Sequence, residues 1–190
     1  IRSVREHYAP RGARRDARDS EMRELPGQFT YSKGGGGTTI AMAAAGVVCL
    51  QEFGQYDDWR IPKNMEVIGA AIDELAPPKT RNGTMPFDAY TLYYVGQALY
   101  QVGGDDWERY YPKLREYLVA TQRDQKDRQD FHGSWKDLGA SGRGRVSGKP
   151  GDLYATAVAC FVLAMPNRYL PILQEGRIKS LQSKTADTNR

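Results

Sequence analysis

The chain repeats itself. Thr38-Thr39-Ile40-Ala41-Met42 opens an apolar run that closes at Phe53-Gly54 and is followed at once by Asp57-Asp58-Trp59. Asp88-Ala89-Tyr90-Thr91-Leu92 opens a second run, which closes at Val102-Gly103-Gly104 and is followed by Asp105-Asp106-Trp107. A third opening, Asp152-Leu153-Tyr154-Ala155-Thr156, leads an apolar stretch to Met165. A period of about fifty residues is that of helical-repeat arrays, whose units cannot bury their apolar faces alone. Units of this kind must stack, so function is to be sought on the surface that the stack builds.

Within each unit the pattern alternates. The first helix is expected from about Thr38 to Phe53, capped by Thr38 or Thr39 and closed by Gly54. It is apolar nearly all round, which places it between two layers. The next should start near Pro62, with Met65, Ile68, Ile72 and Leu75 on one face and Lys63, Glu66, Asp73 and Glu74 turned to water. Asp88 to Val102 repeats the buried type, and Pro112 to about Arg123 repeats the amphipathic type with Leu114, Tyr117, Leu118 and Thr121 on its apolar face. Asp152 to Met165 is a third buried helix, with Arg168-Tyr169-Leu170-Pro171-Ile172-Leu173 in the place of its partner. The expected fold is all-α, a partial α/α toroid of alternating inner and outer helices over 38–173. An irregular N-terminal arm (1–37) precedes it and a polar tail (174–190) follows. A closed toroid needs roughly six hairpins. Inner-helix faces at the ends are therefore expected to be exposed, or to pack against upstream repeats.

Composition excludes several classes. With 40% hydrophobic and 26% charged residues over 190 positions, the chain is globular. Its most apolar segment, Ile40 to Leu50, is too short to span a bilayer. The start at Ile1, with neither an initiator Met nor a signal-peptide core, is that of a fragment or processed chain. The net charge of +4 is concentrated in an arm where seven arginines are diluted by five acidic residues, a mixed-sign stretch that argues against a nucleic-acid partner. Cys49 and Cys160 lie in separate apolar runs and are expected to be free core thiols. The residues do not name a compartment.

The motifs that invite chemistry mostly have plainer explanations. Gly34 to Gly37 precedes a helix without the Lys that a phosphate loop requires, and Gly142 to Pro150 fails the same spacing. His7 and His132 stand at no ligand spacing, so no metal site is expected and no cofactor is implied. Asp57-Asp58 and Asp105-Asp106 precede the amphipathic helices and are explained by capping and turn formation. The inner-helix starts are the strongest lead. Asp88, Tyr90 and Tyr94, with Tyr93, mark one start, and Asp152 and Tyr154 mark the next. If inner helices run parallel, these residues gather at one rim toward which the helix dipoles point. Aromatic rings there suit an apolar isoprenoid-like or carbohydrate ligand. Alternatively, the tyrosines fill gaps between helices while their hydroxyls find local partners.

These repeats resemble the prenyltransferase and squalene-oxidase repeat of squalene-hopene cyclases and protein prenyltransferase β subunits. The likeness rests on Gln28-Phe29-Thr30-Tyr31 through Gly37-Thr38-Thr39 into Ala43-Ala44-Ala45-Gly46, and on Gln122, Gly133-Ser134-Trp135 and Tyr154-Ala155-Thr156-Ala157. The second set is similar to the family's glutamine-tryptophan motif, with longer spacing. The resemblance covers about residues 27–173 and implies an α/α toroid, closest to squalene-hopene-cyclase-like repeat proteins. It does not carry over their catalysis. Phe87, Ala89 and Ala155 stand where prenyltransferase β subunits hold zinc, and neither the cyclase Asp-x-Asp-Asp nor a thioester Cys-Gly-Glu-Gln is present. The resemblance thus implies the C-terminal part of a cyclase-like protein, with a non-catalytic binding or scaffolding toroid as the alternative. A sugar-active α/α enzyme is a third reading, with Asp88 and Asp152 as its only carboxylate pair. Elemental analysis of protein purified without chelators should give far less than one zinc per chain; stoichiometric zinc would contradict the ligand losses.

Overall fold

The computed structural model describes residues 1–13, 17–33, 37–77, 81–124, 131–136 and 151–167. Helices dominate them: the protein is all-α, with one small two-stranded sheet among the described residues. In chain order the elements are α1 (Arg2–Glu6), β1 (Tyr8–Pro10), α2 (Asp19–Glu24), β2 (Gly27–Phe29), α3 (Ile40–Glu52), α4 (Arg60–Asp73), α5 (Ala89–Val102), α6 (Gly104–Thr121) and α7 (Gly151–Ala164). A 3-10 turn, Met165–Asn167, ends the described chain.

Caps define the repeated helices. The Thr39 hydroxyl accepts the Met42 N–H at 3.1 Å at the start of α3. Asp88 does the same for Thr91 at 3.0 Å at the start of α5, and also accepts the Thr91 hydroxyl at 2.6 Å. Gly54 and Gly103, at φ of 70° and 67°, let the chain leave α3 and α5 through a conformation that costs other residues energy.

α3, α5 and α7 lie side by side with α5 in the middle, while α4 and α6 pack on them from one side and on each other. The C-terminal ends of α3 and α5 meet where Gln101 donates to Glu52. The segments leading into α5 and α7 meet where the Lys136 N–H donates to the Gly83 carbonyl at 2.9 Å. The three helices therefore start at one end of the molecule. Ile61, Met65, Ile68 and Ile72 of α4 and Leu114 and Leu118 of α6 are buried against them, as the amphipathic pattern requires. The outer pair approaches closely because Gly69 has no side chain; a Cβ there would stand 2.4 Å from the Tyr110 ring.

Three expectations need correction. First, α6 begins at Gly104, eight residues ahead of Pro112, which sits inside it. An interior proline removes one backbone hydrogen bond. The helix runs through it because Tyr110 and Tyr111 before it, and Leu114 and Leu118 after it, are all drawn into the core. Asp105 and Asp106 thus occupy its first turn, where the helix dipole favours them. Second, Cys160 is an exposed thiol, because α7 has no neighbour on that face among the described residues; Cys49 is half-buried. Third, the 1–37 arm is folded where it is described. β1 and β2 pair antiparallel, with Tyr8 opposite Phe29, and β2 lies on both α3 and α4. Phe29 is 2% exposed and its ring occupies the space over Gly46, where a Cβ would come within 2.1 Å. Its N–H donates to the buried Asn64 Oδ1 at 3.0 Å. The expected partner segment 168–173, the tail 174–190 and the 142–150 motif lie outside the described residues.

Trp135 is 1% exposed although its surroundings read as loop. Its Nε1 donates to the Leu118 carbonyl on α6 at 3.1 Å and its backbone N–H to Thr156 Oγ1 on α7 at 3.1 Å. Gln122 Nε2 donates to the Gly133 carbonyl at 2.8 Å, closing the same junction. Trp135→Ala should cost about 3–5 kcal/mol, the range for truncating a buried large aromatic. An unchanged denaturant midpoint would show that the ring anchors nothing.

Candidate functional site

The five rim residues named from the sequence lie at the same end of two neighbouring helices, with Asp88 as the cap of α5 and Tyr90 and Tyr94 in its first two turns. Asp152 and Tyr154 are in the first turn of α7. The two carboxylates have structural work. Both oxygens of Asp88 are engaged by Thr91. Asp152 accepts Arg123 Nη2 at 2.9 Å, and this buried arginine also donates through Nη1 to Ser134 Oγ at 3.1 Å and lies over the Phe131 ring. Tyr154 is half-buried against the core.

The aromatic residues form a strip. Tyr90 meets Tyr94 edge-on with centroids 5.0 Å apart, Tyr94 meets Tyr93 at 5.3 Å, and Tyr93 meets Phe161 of α7 at 5.4 Å. Rings at these separations attract beyond simple area burial. All four are half-buried, so the strip keeps accessible surface while crossing from one inner helix to the next. Burial, then Tyr90, pushes the Tyr94 hydroxyl above its ordinary pKa, with smaller effects from Tyr93 and from Cys49 on α3. Burial likewise raises the Cys49 thiol, which makes it a poor thiolate nucleophile at neutral pH. The strip offers ring faces and hydroxyls. Phe161 was not singled out in the sequence; its signal is its place one heptad beyond Tyr154, on nearly the same face of α7.

A charged network lies at the other end of α3. Asp58, with its side chain 2% exposed, accepts Arg5 Nε at 2.9 Å, Arg60 Nη1 at 3.0 Å and the Arg60 backbone N–H at 3.1 Å. Arg60 Nη2 reaches Asp19 on α2 at 3.1 Å. The turn role expected of Asp58 is thus joined to an ion pair that ties the arm to the α3–α4 hairpin. The corresponding Asp106 behaves oppositely: burial first, then the neighbouring Asp105, raises its carboxyl.

Among the described residues no group of three or more His, Cys, Asp or Glu side chains could hold a metal ion, and no helix is long and apolar enough to cross a membrane. No family model, curated protein or solved structure matches the chain.

Burial alone would raise the Asp58 carboxyl, but the Arg60 backbone N–H, the Arg60 guanidinium and then Arg5 outweigh it and hold it below the ordinary carboxylate value. A depressed folded-state pKa contributes stability above the unfolded value, about 3.9, and that stability is lost as pH falls through the folded value. Unfolding midpoints should therefore drop on acidification below about pH 4. Asp58→Asn should be less stable at pH 7, and the gap between it and the parent should shrink in acid. A gap that is constant with pH would show that the charge of Asp58 is not what stabilises the junction.

Proposed function

We propose that the chain is the C-terminal part of a squalene-cyclase-like prenyltransferase-repeat protein, one sector of an α/α toroid whose inner face binds an elongated apolar, isoprenoid-like ligand. The single observation that carries the ligand reading is the strip of Tyr90, Tyr94, Tyr93 and Phe161 laid across two inner helices. Linked half-buried rings present a continuous apolar surface to a hydrocarbon chain, and their faces attract positive charge. Two features support the repeat reading. Inner and outer helices alternate, and Gln122 and Trp135 tie the end of α6 to the approach of α7, as the glutamine-tryptophan motif does in the family it resembles. In this reading the sector supplies a binding surface, and any catalytic acid belongs to another part of the protein. The carbohydrate-enzyme reading is weakened by the engagement of Asp88 with Thr91 and of Asp152 with Arg123.

A fluorescent farnesol analogue titrated into the protein should bind saturably. Tyr90→Ala combined with Tyr94→Ala should weaken binding at least about tenfold, or ~1.4 kcal/mol, with far-UV circular dichroism unchanged. Equal affinity in a folded double variant would remove the strip as the site. A variant that unfolds would return both rings to a packing role.

A further inference from the structure

We propose that a second site, separate from the rim, binds a neutral hydroxyl-rich ligand of mono- or disaccharide size. It is a cleft of about 490 Å³ where the N-terminal arm meets the turn between α3 and α4. That volume lies within the range of small-molecule sites. Three arginines (Arg5, Arg23, Arg60) and three aspartates (Asp19, Asp57, Asp58) line it, with Tyr56 and Trp59 among them.

The charges say which ligand fits. The two signs balance, so neither an anion nor a cation gains from a net local field. Arg5 and Arg60 are already committed to Asp58, Gln55 and Asp19. The base of the cleft is rigid for the same reason: Arg60 is buried, is held at three points, and lies 4.3 Å from the Trp59 ring centroid. Its buried Nε has no hydrogen-bond partner among the described residues. The mouth differs from the base. Arg23 is more than half exposed; it makes a long 3.5 Å contact with Asp19 Oδ2 and lies 5.9 Å from the Trp59 ring centroid. Asp57 is exposed, and Tyr56 is 41% exposed. Guanidinium and carboxylate groups each present two parallel hydrogen-bonding atoms, the spacing of two adjacent hydroxyls. The Trp59 ring is occupied by Arg60, by Arg23 and by the edge of Tyr8, and its Nε1 donates to Asp19 Oδ2 at 3.3 Å. Tyr56 is therefore the aromatic surface left for the C–H face of a sugar ring. Arg23 and Asp57 hold hydroxyls, and Tyr56 covers the ring. For a carboxylate or phosphate ligand, Arg23 is the guanidinium with donors to spare, and the Asp19 carboxylate that it already contacts opposes a second anion.

The test is titration of glucose, N-acetylglucosamine, cellobiose and chitobiose, followed through tryptophan indole N–H resonances, with inorganic phosphate in parallel. At least one sugar should shift the Trp59 resonance saturably and leave the buried Trp135 unmoved. Arg23→Ala and Asp57→Asn, both at exposed positions, should each weaken that sugar about tenfold without loss of helicity. The Tyr90→Ala, Tyr94→Ala protein should bind it as the parent does, which separates this site from the proposed rim. The proposal is overturned if none of the four sugars moves Trp59, if phosphate moves it and the sugars do not, or if both mouth variants bind as the parent does.

Discussion

A helix that is apolar on every side is stable in water only when something covers every side, and this requirement organises the chain. No residue from Ala41 to Gln51 of α3 is exposed, although α3 is the first helix of the array. α4 covers one flank and α5 another, and the strand carrying Phe29 seats against Gly46. The arm therefore covers the part of α3 that its helical neighbours leave open. Apolar burial is favourable by about 25 cal/mol per Å², so a ring as fully buried as Phe29 contributes on the order of 2–3 kcal/mol before its ordering cost. α5 lies between α3, α6 and α7 and is equally enclosed at Leu92, Val95, Ala98 and Leu99.

Apolar burial is non-directional, and the junctions are aligned by a few buried polar groups. Asn64 accepts the Phe29 N–H and donates to the Arg60 carbonyl at 2.7 Å, which sets the position of β2 on α4. Arg123 does similar work at the other end, pinning the Ser134 loop and the start of α7. Gly83 passes so close to it, at φ 81°, that a Cβ would stand 2.7 Å from Arg123 Nε. Removing one partner from such a buried set strands the other, which costs more than the pair itself contributes.

How much was legible in the sequence follows from the range of each interaction. Hydrophobic period and cap chemistry are local, so α3, α5 and α7 were readable to within about two residues at their ends. The early start of α6 was hidden by Pro112, because the contacts that carry the helix through it come from α4, α5 and α7. The folded arm was hidden for another reason. Gln28-Phe29-Thr30-Tyr31 alternates polar and apolar residues as an extended piece does, but strands of three residues do not reveal their pairing, and the arm's anchor, Arg5 on Asp58, spans 53 positions. At the rim, Tyr90 and Tyr94 were legible as aromatics at a helix start. The carboxylates were legible as acids, but their engagement with Thr91 and Arg123 was not. Phe161 shares a face of α7 with Tyr154, one heptad on, but its meeting with Tyr93 of α5 depends on how the two helices sit against each other, which neither helix's own pattern encodes.

That seating also distinguishes the two ends of the array. α5 receives α7 through Tyr93, which meets Phe161, and through Gly96, where a Cβ would come within 2.9 Å of Val162 and 3.1 Å of Met165. Aligning Asp88-Ala89-Tyr90 with Asp152-Leu153-Tyr154 places Ala157 and Cys160 at the equivalent positions of α7. Both are exposed, and Leu153 beside them is 84% exposed. α7 thus presents the same face with which α5 holds its neighbour, and among the described residues nothing is seated on it. In a nearest-neighbour array the stability of each unit is its own plus that of its interfaces. Among the described residues α7 has one such neighbour, α5, where α5 has two. Its position therefore depends more heavily on the contacts from α6: the Tyr111 hydroxyl near the Val162 and Leu163 carbonyls at one end, and Trp135 bridging Leu118 to Thr156 at the other.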